Sequence, residues 1–325
     1  MLGDAAGIGP EISARVLAAG AARAAARVVV VGDRRVLELG MRDAGVRLPY
    51  EVVAEAGSVP VSPEAVPIVD LANCDPARIA RGEVSDESGR ACGETLKAMI
   101  GMALAGRLDG ICFAPLNKAA LHGGGWDFRD EHQMFAALTG HTGHFGEMNV
   151  IPGLTTFRVT SHVALRDVAA LITPERVTAT VRLADCTLRA MGHDAPRIGV
   201  AALNPHAGER GLFGDEESRI IRPVVEALRA EGVLVTGPVP ADTIFVMATR
   251  GEFDAVVMMY HDQGQIATKL LGFNKGVTVT AGLKKVFATP AHGTAFDIAG
   301  RGTADPGALE YALRLAATLA RSRTV

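Results

Sequence analysis

The stretch DAVVMMYHDQG, residues 254–264, joins an apolar run to a polar cluster that carries a histidine beside an aspartate. Residues 255–259 have the length and composition of a buried strand, because short continuous apolar runs are typical of strands covered on both faces. His261 and Asp262 follow where that strand meets its loop. The stretch therefore predicts a core strand whose end carries polar chemistry.

Short apolar runs alternate with longer helical patterns along the rest of the chain. Strands are predicted at residues 27–32, 109–115, 154–160, 197–203, 254–259 and 276–280. Helices are predicted at residues 34–42, 87–107, 174–191, 215–231 and 306–322. This alternation favours an α/β fold built on a largely parallel sheet.

Composition and charge exclude several classes of protein. The chain has 325 residues, 48% of them hydrophobic, which suffices for two α/β lobes or one large domain. The net charge is −3 and no basic block stands out, so we expect no nucleic-acid or anionic-membrane partner. No apolar run reaches the roughly 18 residues of a membrane span, and no secretion signal is visible. Four scattered cysteines without a CxxC pair favour free thiols and a cytoplasmic protein.

Three of the predicted strands end in loops that carry a histidine, namely His162, His206 and His261. Ligands of parallel sheets bind beyond the carboxyl ends of the strands, so these loops are expected at one edge. Three neutral imidazoles with an open position form a catalytic site for a divalent metal, with metal–nitrogen distances of about 2.0–2.1 Å. The alternative is that each histidine caps a loop or packs in the core, and spacing along the chain does not decide between them.

Two aspartates lie near these loops. Asp262 and Asp242 could orient a metal ligand, bind substrate or accept a proton. Asp242 could equally cap the helix that follows it. From the residues around them alone, Lys118 and Lys269 are expected to be solvated surface lysines.

Two glycine-containing loops could approach a ligand. GDAAGIGPE, residues 3–11, opens a predicted helix, whose N-terminal amides attract anions, although a tight structural turn fits equally well. Such a loop normally follows a strand, and only Met1 and Leu2 precede it here. PAHGTAFDIAGRGTAD, residues 290–305, contains glycine turns at which the backbone could meet a flat ligand.

Seven segments taken in order resemble the 4-hydroxythreonine-4-phosphate dehydrogenase (PdxA) family. They are GDAAGIGPE, APLNKAAL, SHVALRD, NPHAGE, GPVPADTIF, MMYHDQG with KLLGF, and HGTAFDIAG. The last also resembles the cofactor loop of isocitrate and isopropylmalate dehydrogenases. The resemblance implies an α/β fold of two α/β/α lobes of that type with a cleft between them. Residues 1–120 with 262–325 would form the cofactor-side lobe, and residues 121–261 the lobe for metal, substrate and dimerisation.

The resemblance also implies an activity. Such enzymes oxidise a secondary alcohol of a hydroxy acid with NAD or NADP and a divalent ion (Zn, Mg, Mn or Co), and the product loses CO2. Their active site lies at the interface of a homodimer. The implied metal ligands are His162, His206 and His261, and the implied catalytic residues are Asp242, Asp262 and Lys118. The implied substrate-binding residues are Glu131, His132, Lys269, Thr278 and Phe287, and the implied cofactor-binding residues are His292, Gly293 and Asp297.

The chain departs from the family pattern around the expected phosphate site. It reads Asp130-Glu131-His132-Gln133 where the family has Gly-His-Thr-Glu, Thr278 for an asparagine, Phe287 for an arginine, and Lys284-Lys285 for a more apolar pair. A like-charge pair about 4 Å apart costs roughly 4 kcal/mol at an effective dielectric near 20. Unless Lys284 or Lys285 compensates, the added carboxylates predict against a phosphorylated substrate. A cis-dihydrodiol carboxylate, which would suit a pocket lined by Phe287, or a sugar acid is the alternative.

Two rival functions use the same scaffold. One is a catalytically silent binding protein, which retention of all three histidines disfavours. The other is a metal-dependent lyase or hydrolase that never uses NAD, which would turn over substrate without releasing NADH.

Overall fold

The structure is a computed structural model that describes residues 1–57, 64–272 and 275–322. Phe273, the last residue of KLLGF, lies outside these ranges. The chain divides into two compact units: unit 1 comprises Met1–Thr142 with Leu283–Val325, and unit 2 comprises Gly143–Gly282. The boundaries expected at 120/121 and 261/262 fall earlier in the chain than those that the structure shows.

The strands of the described residues, in chain order, are β1 (Val30–Gly32), β2 (Tyr50–Val52), β3 (Val66–Asp70), β4 (Gly110–Cys112), β5 (Gly146–Ile151), β6 (Leu154–Arg158), β7 (Ile198–Ala201), β8 (Val235–Val239), β9 (Ala255–Met258), β10 (Val277–Ala281) and β11 (Val286–Pro290). The helices are α1 (Gly9–Ala18), α2 (Ala21–Ala25), α3 (Arg34–Ala44), α4 (Asp86–Leu104), α5 (Lys118–Gly123), α6 (Glu131–Leu138), α7 (Leu165–Leu171), α8 (Pro174–Ala190), α9 (Arg222–Ala230), α10 (Ala241–Thr249), α11 (His261–Gly272) and α12 (Gly307–Arg321). In this part of the chain, no helix is both long and apolar enough to cross a membrane.

Unit 1 is built on short parallel strands. β3 lies between β1 and β2 and pairs parallel with both, while β4 pairs parallel with β11. The chain also runs beside β4 near its start, where the Met1 amino group donates to the Cys112 carbonyl over 2.9 Å and the Asp4 amide donates to the Pro115 carbonyl over 3.0 Å. The first residues of the chain are therefore hydrogen-bonded to the segment of β4 and the residues after it.

Unit 2 contains β9, the strand of the DAVVMMYHDQG stretch. Its strands follow the order β10-β5-β6-β9-β7-β8, in which β10, β5 and β6 pair antiparallel and β6, β9, β7 and β8 pair parallel. Every residue of β9 is buried, as the continuous apolar run predicts. Ile244 and Phe245 of α10 pack in the same core cluster as Val256 and Met258 of β9.

The predicted helix at 215–231 is interrupted in the structure. Residues Glu217–Ile221 form a π-helical turn, closed by the Arg222 amide donating to the Glu217 carbonyl, and α9 begins at Arg222. Pro223 is the second residue of α9, a position in the first turn where a proline is tolerated because it needs no amide hydrogen. The strands that were not predicted are β2, β3, β5, β8 and β11.

Candidate active site

The three histidine loops follow three neighbouring parallel strands. β9 lies between β6 and β7, with Phe157 and Val200 both in register with Val257. His162 follows β6, His206 follows β7 and His261 follows β9. The structure thus confirms that the three strands are adjacent and parallel, so their carboxyl ends share one edge of the sheet.

Two of the histidines lie close enough to share an ion. The ring centres of His162 and His261 are 5.5 Å apart. Two imidazoles on one tetrahedral ion have ring centres about 5 Å apart, given metal–nitrogen bonds of roughly 2.0–2.1 Å. Nδ1 of His261 lies 2.6 Å from Oδ1 of Asp262, which leaves Nε2 as the ring nitrogen for a metal. A carboxylate on the far nitrogen is the usual partner of a metal-bound histidine.

His206 is placed differently from this pair. Its ring lies against Phe213, with ring centres 6.0 Å apart. Within residues 1–57, 64–272 and 275–322, no group of three or more His, Cys, Asp or Glu side chains is positioned to hold a metal. The structure therefore brings the rings of His162 and His261 close together, while the convergence of all three rings stays a prediction. The donor chemistry of the pair fits a divalent ion, and the third donor lies on a distorted loop.

That loop is strained. His206, Ala207, Glu209 and Arg210 all have positive φ values, as does Gly208 between them. The left-handed conformation costs a non-glycine residue roughly 1–2 kcal/mol, because Cβ approaches the following carbonyl. His162 is also in this region, with a φ of 50°. Such conformations persist only where surrounding contacts enforce them, and they cluster at functional sites.

A buried polar network lies beneath the His162 loop. The Arg158 side chain is 1% exposed, forms an ion pair with Glu147, and donates through Nε to the Ser161 hydroxyl over 2.9 Å. Asn149 donates to the Thr278 hydroxyl over 2.9 Å. Thr278, implied to bind substrate, is therefore buried with its hydroxyl in this network. The sequence analysis missed Arg158, because an arginine in an alternating strand usually points to solvent.

The remaining implied residues of unit 2 are exposed. Asp242 lies in the first turn of α10, but Pro240 occupies the cap position and no side chain caps the helix. The alternative interpretation of Asp242 as a helix cap is therefore wrong. Lys269 lies in the last turn of α11 with an exposed side chain.

In unit 1, Glu131 lies near Lys118. Lys118 Nζ is 3.8 Å from Glu131 Oε2, whereas Lys285 donates to the Leu108 carbonyl over 3.3 Å. Lys285, one of the two lysines that could have compensated for the added carboxylates, therefore binds a backbone carbonyl. Asp130 caps α6, with Oδ1 accepting from the Gln133 amide over 2.9 Å, so its carboxylate serves the helix N-terminus.

An aromatic cluster surrounds Phe287. The ring of Phe287 stacks on Phe135 with ring centres 4.2 Å apart, and Phe113 meets Phe135 edge-on at 5.5 Å. His132 also meets Phe135 edge-on. Phe287 is 1% exposed, so its ring packs in the core of unit 1 instead of lining an open pocket. His132, at 8% exposed, is the cluster's polar member.

The implied cofactor loop packs against the glycine loop of residues 3–11. The Ile8 amide donates to the Thr294 carbonyl over 3.0 Å, and a Cβ at Gly7 would lie 2.6 Å from the same oxygen. Gly7 is thus required for close packing of two loops, which favours the structural interpretation of this glycine. In the cofactor loop, His292 Nδ1 lies 3.0 Å from the Gly293 carbonyl and Asp297 is exposed.

Comparison with known proteins identifies relatives along nearly the whole chain. The family described as pyridoxal phosphate biosynthetic protein PdxA matches residues 24–316. A D-threonate 4-phosphate dehydrogenase of Cupriavidus necator is 44% identical over 324 residues, covering 99% of this chain and 96% of the relative.

Solved structures give the same result. A 4-hydroxythreonine-4-phosphate dehydrogenase of Klebsiella pneumoniae superposes with a TM-score of 0.85 at 40% identity, covering 98% of each chain. A terephthalate 1,2-cis-dihydrodiol dehydrogenase of Burkholderia xenovorans superposes with a TM-score of 0.66 at 31% identity, covering 98% of this chain and 96% of the other. An isocitrate dehydrogenase of Methylococcus capsulatus, at 15% identity and a TM-score of 0.50, shows the shared fold alone.

Proposed function

The chain belongs to the PdxA family of pyridoxal phosphate biosynthetic proteins, and from this membership we propose that it is a metal- and NAD(P)-dependent dehydrogenase. It oxidises the secondary alcohol of a hydroxy acid, and the keto acid formed then loses CO2. The observation that carries the proposal is the pair His162 and His261, 5.5 Å apart at the ends of adjacent parallel strands.

His162, His206 and His261 would hold one divalent ion, with Zn, Mg, Mn and Co as candidates. When bound, a divalent ion polarises a hydroxyl or carbonyl oxygen and lowers the pKa of the oxygen that it contacts. Asp262 orients His261 by its contact with Nδ1 and keeps Nε2 directed outward. The left-handed backbone at His162 and His206 supports the assignment, because such strain is retained where function requires it.

The other implied residues take acid–base and binding roles in this proposal. Asp242 accepts the hydroxyl proton, and its exposed carboxylate is accessible for that purpose. Lys118, beside Glu131, donates a proton to the carbon that CO2 leaves. Lys269 binds the substrate carboxylate. The loop with His292, Gly293 and Asp297 would hold NAD or NADP in unit 1, and the bound nicotinamide would supply the acceptor for the hydride.

Two substrate classes have specific support. Phosphorylated hydroxy acids are favoured by the names of the Cupriavidus and Klebsiella relatives. Dihydrodiol carboxylates are favoured by the Burkholderia relative and by position 287, where a buried phenylalanine provides no cation for a phosphate.

An NADH-release assay tests the proposal. Purified protein with NAD or NADP and Zn, Mg, Mn or Co is given phosphorylated hydroxy acids, dihydrodiol carboxylates and sugar acids in turn. We expect metal-dependent NADH release with one class. The variant His206→Ala should lose both bound metal and turnover, while His193→Ala, which changes a half-buried histidine of unit 2, should retain both. Full metal content and activity in His206→Ala would refute the ligand assignment. Turnover without release of NADH or NADPH would indicate the non-redox lyase or hydrolase.

We also propose a homodimer formed through unit 2. Exposed apolar side chains are concentrated in this unit, including Ile266, Leu270 and Leu271 on α11, the helix that begins with His261. Large exposed apolar patches mark interaction sites. A second α11 that covers these residues would remove them from water.

A cytoplasmic location is the last part of the proposal, and the thiols support it. All four cysteines are free. Burial raises the pKa of Cys74 and Cys112 to about 12, so these thiols stay protonated and unreactive. Free thiols are typical of reducing compartments.

A further inference from the structure

Glu217 has a buried carboxylate that the proposed chemistry does not use. The residue is 2% exposed. Its Oε1 accepts from the Leu203 amide over 2.8 Å and from the Asn204 amide over 2.7 Å. Its Oε2 accepts from the Asn204 side-chain amide over 3.0 Å. Three donors on one carboxylate offset the cost of burying its charge, because bonds to ionised groups are about twice as strong as neutral ones.

All three donors belong to the two residues that lead into the His206 loop. Leu203 and Asn204 follow β7, and His206 comes two residues after Asn204. The loop then curls back toward the same carboxylate, because a Cβ built on Gly208 would lie 2.7 Å from Oε2 of Glu217. Glu217 therefore contacts the start of the loop and approaches its middle.

The π-helical turn explains how a helix presents this carboxylate. Glu217 is the first residue of the Glu217–Ile221 turn, which widens the helix by one residue before α9 begins. Single π-turns inside helices occur frequently at functional sites. A regular helix over residues 215–231, as the sequence predicts, would rotate residue 217 relative to the following α9.

Gln263 provides a second contact on the same segment. Its Nε2 donates to the Ala202 carbonyl over 2.7 Å, and its Oε1 accepts from the Met259 amide over 2.7 Å. Ala202 precedes the His206 loop, and Met259 precedes the His261 helix. The Gln263 amide therefore joins the end of β7 to the end of β9, with both of its polar ends used.

We propose that Glu217 is a positioning residue for His206, assisted by Gln263, and that it acts by fixing the backbone of residues 202–204. This inference rests on the proposed role of His206 as a metal ligand. Glu217 holds the base of a loop whose five left-handed residues would otherwise relax. In the metal-bound protein, the fixed backbone of residues 202–204 limits the positions that the His206 imidazole reaches.

The variant Glu217→Gln tests the proposal, because glutamine keeps the shape and replaces one acceptor with a donor that faces the Asn204 amide. The Kd for Co²⁺ and Zn²⁺ is measured by calorimetry, and the visible absorption of the Co²⁺-saturated protein is recorded. We expect the Kd to rise ten- to a hundredfold, as is usual when a partner that orients a ligand is removed. The Co²⁺ spectrum should shift toward that of His206→Ala. Gln263→Met should also raise the Kd for both ions.

The spectrum separates positioning from a general loss of stability, since a protein that is only less stable keeps its coordination at saturating Co²⁺. The matched control is Asp215→Asn, whose exposed carboxylate pairs with Arg219, and it should keep the wild-type Kd and spectrum. A Glu217→Gln protein with wild-type Kd and spectrum overturns the positioning role and leaves the proposed function intact. Failure of the wild type itself to bind Co²⁺ or Zn²⁺ instead rejects the proposed function, and the positioning role falls with it.

Discussion

Individual residues of the His206 loop carry backbone conformations that their side chains disfavour. Ala207 has a φ of 53°, in the left-handed region. Glycine adopts this conformation without the clash between Cβ and carbonyl oxygen that alanine meets there. The strain at this position is therefore relieved by removing one methyl group.

Ala207→Gly should accordingly stabilise the protein. Relief of roughly 1–2 kcal/mol of strain exceeds the roughly 0.5–1 kcal/mol that glycine costs in chain entropy. We expect the free energy of unfolding to rise by about 0.5–1 kcal/mol in urea titrations. The control Ala179→Gly, inside α8, should lower it by about 0.5–1 kcal/mol, because there glycine only adds chain entropy to the unfolded state. A loss of stability in Ala207→Gly would contradict the left-handed assignment.

Between elements, one ion pair ties the start of β7 to the start of β9. Asp254 Oδ2 accepts from the Arg197 amide over 2.7 Å, and Oδ1 accepts from the Arg197 guanidinium over 2.9 Å. The hydrogen bond from Arg197 holds the pKa of Asp254 below its usual value. This contact joins two strands whose far ends lead to His206 and His261.

The stability that this pair contributes should depend on pH. Because the folded-state pKa of Asp254 is depressed, the contribution is complete above the unfolded value of about 3.9 and is lost as the pH falls through the lower folded value. Asp254→Asn should therefore cost about 1–2 kcal/mol at pH 7, and the difference from wild type should shrink as the pH falls from 5 toward about 2.

Urea midpoints of wild type and variant across this range provide the measurement. The control Glu231→Gln removes a more exposed pair with Arg182 and should change stability by less than about 0.5 kcal/mol. A pH-independent difference between wild type and Asp254→Asn would contradict the assigned pKa shift.

At the scale of the whole molecule, the exposed apolar residues of α11 predict self-association. Leu270 is 83% exposed and lies on the same helix as the exposed Ile266 and Leu271. An exposed apolar patch of this kind marks an interaction site. Leu270→Glu should place a charge in the proposed interface and shift the protein from dimer to monomer. Sedimentation velocity over a range of concentrations measures this shift.

Val84→Glu is the matched control for the interface. Val84 is 54% exposed but belongs to unit 1, so the same change of apolar to acidic side chain there should leave the oligomeric state unchanged. A monomeric wild type, or a Leu270→Glu protein as dimeric as wild type, would reject the interface on α11.

The sequence by itself determined the α/β class, the buried β9 and the histidines at the ends of β6, β7 and β9. These features follow from local patterns, namely a continuous apolar run and the polar residues directly after it, which act over a few neighbouring residues. The parallel direction of these strands followed from the alternation of strands and helices, whereas their order did not. The match of seven segments in order identified the family.

Only the tertiary structure decided the surroundings of those residues. Arg158 is buried because it pairs with Glu147 on the neighbouring strand. Glu217 is buried because an unpredicted π-turn directs its carboxylate at the amides of Leu203 and Asn204. Neither contact leaves a periodic signal in the sequence. The same reason explains why Phe287 stacks on Phe135 and why Lys118 lies near Glu131. Pairings across long chain separations depend on how whole elements pack, whereas strand ends depend on adjacent residues.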